Sequence, residues 1–262
     1  MVKLYSGVLP VLPERGYFKK GDKGKQVKLL QKFLNWANAG SIVKKLKVDG
    51  QYGDNTCKAV KFFEQVHHLD QLDGEFGKKC LACAKKIKMT SGLKATNWAY
   101  SIINGGDYHY KKWKNEDKKT QQCPICRKLK GKYKGWNCIG FVTAAMHHGA
   151  KLRGFKCSCC GLGDNKFFEG VTAIKWRAHN GQGWDMISNH GEKGGESISS
   201  NKLKAGDVVI CYDKHGKYKH TIMYAGDGKY VDCTSGREAG TGEGSYATIS
   251  NKYHATRAFR PH

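Results

Sequence analysis

The chain has 262 residues and a formal net charge of +24 at pH 7. Such an excess makes a polyanion the preferred partner: nucleic acid, an acidic lipid surface or an anionic cell-wall polymer. No apolar run is long enough to cross a bilayer, so the expectation is a soluble protein, with length for two small domains or one large one.

The first segment, "MVKLYSGVLPVLPERGYF" (1–18), holds a short apolar patch broken by two prolines. It has neither the form of a signal peptide nor the length of a membrane span. After "GDKGKQ", Val27, Leu30, Phe33 and Leu34 recur at helical spacing and predict a helix. Two further helices are announced by an internal echo. "KVDGQYGDNTCKAVKFF" (47–63) and "QLDGEFGKKCLACAKKI" (71–87) both run Leu/Val-Asp-Gly-x-aromatic-Gly and then turn helical. Asp-Gly followed by aromatic-Gly is turn chemistry, and Asn55 or Thr56 is placed to cap the helix after the first turn. Cys57, Cys80 and Cys83 fall inside these helices, and the last two share a face at i, i+3, which reads as core. This ordered set resembles the peptidoglycan-binding domain type 1 family over about residues 15–88. The resemblance implies an all-α three-helix module that anchors the protein to peptidoglycan.

A polar, Gly-containing stretch predicts a linker at 89–94, dividing a first domain (1–88) from a second (95–262). "KATNWAYSIINGGDYHY" then reads as a helix with Trp98, Ile102 and Ile103 facing inward, followed by the charged loop "KKWKNEDKKTQQ" (111–122). Next comes "GWNCIGFVTAAMHHGA" (135–150), which puts Cys138 at the first position of an apolar helix. A helix N-terminus favours thiolate, and its unpaired N–H groups can hold an oxyanion, so the position suits a nucleophile. Beyond residue 200 the pattern changes to short strands, 206–213, 219–226 and 229–235, separated by Gly-rich turns.

His220 opens the second of these strands and Asp232 lies in the third, which offers the thiol a base and the base an orienting carboxylate. Register is decisive here. A plain two-residue turn at Asp227-Gly228 pairs Met223 with Asp232 and puts His220 and Asp232 on opposite faces. A three-residue loop, or a bulge, shifts the pairing by one and brings both to one face.

The order of "WNCIGFV", "KAGDVVICY", "HTIMYAGDGKYVDCTS" and the terminal "TRAFR" resembles the NlpC/P60 family of papain-like cell-wall hydrolases across roughly 95–262. The resemblance implies a papain-like α+β domain with an antiparallel sheet, in which Cys138 attacks an amide, His220 is its base and Asp232 orients His220. The family's third residue is more often His, Asn or Gln. Its usual Asp-Cys-Ser-Gly is here Asn137-Cys138-Ile139-Gly140, without the Asp and Ser that help many members recognise a free amine.

The sequence holds 11 cysteines, grouped in part as "CPIC" (123–126) and "CSCC" (157–160), unlike a disulfide framework. Such use points to a reducing compartment and to metal binding or catalysis. Two Cys-x2-Cys pairs suit one tetrahedral zinc, with Cys123, Cys126, Cys157 and Cys160 as the expected ligands and Cys160 preferred to Cys159 on spacing. Four thiolates leave no position for an activating water, so the ion is expected to be structural, in an insertion flanking the Cys138 helix. His147 and His148 read as helix-end residues, either of which can replace a thiol.

A binding module joined to a cysteine hydrolase resembles a bacteriophage endolysin. That implies a monomer made in the host bacterial cytoplasm that acts on the wall after release, with no membrane insertion. The expected activity is hydrolysis of an amide in peptidoglycan, first a peptide bond of the stem or cross-link. N-acetylmuramoyl-L-alanine amidase activity comes second. A zinc-ribbon nucleic-acid-binding protein is the reading from another class, favoured by the charge and "CPIC", but no RNA- or DNA-reading signature accompanies them.

Overall fold

The computed structural model describes residues 2–106, 108–110, 123–126, 128, 130, 134–152, 184–189 and 196–262. The chain divides into two units, 1–90 and 91–262.

In the first unit, α1 (Lys25–Ala37), α2 (Asp54–Val66) and α3 (Lys78–Ala84) bury the stripes their sequences announce. Val27, Leu30, Phe33 and Leu34 of α1 are all inaccessible, and Phe33, Phe63 and Phe76 meet with ring centroids 5.5–6.1 Å apart. The echoed turns are echoed in space. Asp49 Oδ1 accepts from the Gln51 N–H at 2.9 Å, and Asp73 Oδ1 from the Glu75 N–H at 2.8 Å. Gly50 and Gly74 both take positive φ, 80° and 77°, which only glycine adopts freely. Each turn is pinned by a buried side chain of the preceding helix: Gln31 Oε1 accepts from the Gly50 N–H at 2.9 Å and Glu64 Oε2 from the Gly74 N–H at 3.0 Å.

Two expectations are corrected here. The unit is not all-α, because β1 (Lys3–Leu4) pairs antiparallel with β2 (Lys88–Met89). Neither Asn55 nor Thr56 caps α2. Its N-cap is Gly53, and the Thr56 hydroxyl turns inward to meet Gln31 Nε2 at 3.3 Å.

The second unit opens with α4 (Ser91–Asn104), so residues 91–94 form the start of a helix and not a linker. Trp98 and Ile102 are buried in it, while Ile103 is half-buried. Two short parallel strands, β3 (His109–Tyr110) and β4 (Gly135–Trp136), lead into α5 (Cys138–Ala144), which continues as a π-helical turn, Ala145–Gly149. Then come β5 (Trp184–Asn189), β6 (Val208–Tyr212), β7 (Tyr218–Gly226), β8 (Lys229–Cys233), β9 (Thr241–Ser245), α6 (Tyr246–Lys252) and β10 (His254–Pro261). They form an antiparallel sheet in the order β5-β10-β6-β7-β8-β9, with α5 packed on β7 and β8. All seven residues of α5 are buried, as its apolar sequence demands.

Candidate active site and metal group

Cys138 is the first residue of α5. Asn137 sets that start: its Oδ1 accepts from the Gly140 N–H at 2.8 Å. Cys138 is 8 % exposed, and three residues of β7 bear on its thiol. The Tyr218 hydroxyl lies 3.2 Å from Sγ, and His220 and the Thr221 backbone are the further partners that act on the ionisation of the thiol. Burial opposes ionisation of this thiol. The hydrogen bond and charge of His220, with Tyr218 and Thr221, outweigh it and hold the thiol below the ordinary cysteine range.

His220 Nε2 lies 2.6 Å from Asp232 Oδ2, which leaves Nδ1 as the ring nitrogen for the sulfur. The register shows how the two meet. Gly226 pairs with Lys229 across a two-residue turn, and Asp227 and Gly228 have φ of 45° and 70°, as a type I′ turn requires. Between Gly226 and Tyr224 the pairing shifts by one, so that Tyr224 meets Tyr230 and Met223 meets Val231. The bulged residue is Ala225. Met223 therefore pairs with Val231 and not with Asp232, and Asp232 faces the same way as His220.

Asp232 is 1 % exposed. Its second oxygen, Oδ1, is held by Arg237 Nη1. Sequence reasoning missed Tyr218, Thr221 and Arg237, because each reaches the site through a pairing or loop path that spacing does not reveal. Two other cysteines of this unit differ from Cys138: burial pushes the thiols of Cys211 and Cys233 up to about 12.

A second group lies at the far end of the Cys138 helix. His148 Nε2, on the π-helical turn, is 3.4 Å from Cys123 Sγ and 3.5 Å from Cys126 Sγ. The three ligand atoms lie within 4.8 Å of one another and can hold a metal ion. Trp98 of α4 stacks on the His148 ring at 5.6 Å and 17°, fixing its orientation. Cys123 and Cys126 are thus together, as expected, but the third member is an imidazole in place of a thiol. Cys157, Cys159 and Cys160 lie outside the described residues.

Comparison with known families bears on the first unit. Residues 23–83 match a family model described as "Putative peptidoglycan binding domain". This portion is similar to peptidoglycan-binding domains. The match supports a cell-wall-associated function and peptidoglycan as a binding partner. No curated protein matches the chain.

Proposed function

We propose that the protein is a peptidoglycan hydrolase in which residues 1–90 hold the wall and residues 91–262 cut an amide within it by cysteine chemistry. The observation that carries this reading is the connected set Cys138–His220–Asp232, with a thiol kept acidic although it is buried. A helix bearing the cysteine, packed on strands that bear the histidine and carboxylate, resembles the papain-like arrangement of NlpC/P60 enzymes and supports this reading. In the reaction, Cys138 Sγ attacks the amide carbonyl carbon while His220 holds the proton in reserve. His220 passes that proton to the departing amine as the tetrahedral intermediate collapses to a thioester. Water, deprotonated by His220, then releases the acyl group. Asp232 keeps the imidazole oriented and offsets its charge when protonated. The substrate bond is, in the first instance, a peptide bond of the stem or cross-link.

Mass spectrometry of soluble fragments from purified walls tests both the activity and the bond. New free amines and carboxyls on peptide residues support the endopeptidase, and a freed lactyl carboxyl with an intact stem redirects it to the muramoyl-alanine amide. Walls left uncut by the wild-type protein overturn the hydrolase reading.

The metal group fits zinc, whose preferred donors are thiolate and imidazole. We assign it a structural role, with Cys123, Cys126 and His148 as ligands and one of Cys157 or Cys160 supplying the fourth. Such an ion fastens the segment before β4 to the turn that ends the Cys138 helix. Elemental analysis of protein purified without added metal should find about one zinc per chain, and Cys123→Ser should lose both the zinc and thermal stability. Metal-free protein with an unchanged melting curve would reject the assignment.

A further inference from the structure

We infer that Arg237 is a positioning residue of this site, acting on the nucleophile through Asp232; the inference rests on the cysteine-hydrolase reading. Asp232 divides its two oxygens between an imidazole and a permanent cation: Oδ2 to His220 Nε2 at 2.6 Å and Oδ1 to Arg237 Nη1. Arg237 is itself tied down. Its Nη2 donates to the Glu243 carbonyl of β9 at 2.9 Å, and its guanidinium lies 5.8 Å from the centre of the Tyr230 ring. The arginine reaches Asp232 by lying across β9, and the strand is cut away where it crosses. Gly242 is the direct cross-strand partner of Asp232. A Cβ on Gly242 would stand 2.6 Å from Arg237 Cδ and 2.7 Å from Nε. The absence of a side chain at 242 is therefore what gives Arg237 its path. Gly242 does not have the positive φ that reserves a position for glycine, so its backbone does not demand glycine.

The physical consequence follows from burial. A carboxylate 1 % exposed needs a permanent cation beside it to stay ionised when His220 is neutral. Histidine alone is charged only during part of the cycle, whereas arginine is charged throughout. Arg237 keeps Asp232 anionic and aimed, so that Asp232 can draw a proton onto His220 and leave Cys138 as thiolate.

The readout is the second-order rate at which iodoacetamide alkylates Cys138 in the full chain at neutral pH, followed by peptide mapping. It needs no wall substrate, so it separates this inference from the hydrolase reading. Arg237→Ala should slow the reaction by about tenfold or more. Arg237→Lys should recover part of it, since a single ammonium restores the charge without the fork. Gly242→Ala should slow it too, by displacing Arg237 with the charge still present, and it serves where Arg237→Ala fails to fold. In an Asp232→Asn background, Arg237→Ala should add nothing. Alkylation within twofold of wild type in folded Arg237→Ala, or a full further loss in the Asp232→Asn background, would overturn the positioning role.

Discussion

The two units each bury a carboxylate beside a thiol, and they put the pair to opposite use. In the first unit, Glu64 lies 3.6 Å from the Cys80 sulfur and has the Gly74 N–H as backbone partner. Burial first and then the Asp73 carboxylate push the Glu64 carboxyl up to about 7. The Cys80 thiol is pushed up to about 12 by burial, with the Glu64 charge adding to the rise. In the second unit an imidazole stands between Asp232 and Cys138, and an arginine backs the carboxylate. There the thiol is lowered although it too is buried. Burial alone makes a thiol inert, and the sign of the charge next to it decides whether it reacts.

The sharpest break of this comparison is a pair of substitutions. Cys138→Ala should abolish wall lysis while leaving wall binding intact, and Cys80→Ala should leave lysis close to wild type. A turbidity assay on wall suspensions reads both, and substantial lysis by Cys138→Ala would falsify the nucleophile assignment. A smaller contrast tests the chemistry directly. At neutral pH, alkylation of Cys138 should exceed that of Cys80 by at least about a hundredfold, because only a lowered thiol supplies thiolate there. Equal labelling of the two in the folded protein would erase the distinction.

The mildest effect concerns Glu64. Its folded carboxyl titrates near 7, well above the ordinary glutamate value of about 4.3. A group that holds its proton more tightly when folded contributes stability fully present below the unfolded value and lost as pH rises through the folded one. The melting transition of the first unit, followed in the full chain, should therefore fall between about pH 4 and pH 7. Glu64→Gln keeps an acceptor for Gly74 and removes the titration, so its curve should be flatter over that window. An identical slope in wild type and variant would show that Glu64 is not the group responsible.

Much of this was written in local chemistry. The stripes of α1 and α2, the doubled Asp-Gly turn, and Cys138 at a helix start all follow from spacing over a few residues. The hairpin requirement was legible as a condition, since the sequence shows that His220 and Asp232 meet only across an odd count. The bulge that meets the condition was not legible, because Ala225 looks like any other strand residue. Strand β9, "TGEGS", has no apolar alternation and owes its place to pairing with β8. His148 reads as an ordinary helix-end histidine until the π-helical turn swings it toward Cys123 and Cys126. Arg237 looks like a surface charge in a Gly-rich loop; only the missing side chain at Gly242 shows its course.

The bulge at Ala225 has a meaning for ancestry as well. A hairpin one residue shorter, with the same two-residue turn and no bulge, would set the same histidine and carboxylate on one face. Chains with and without the extra residue are thus interchangeable in geometry though different in length. When such hairpins are aligned, the one-residue gap belongs at Ala225. A gap placed before His220 or after Asp232 would throw one of the two into the wrong column, and a shared ancestry of the pair would go unseen.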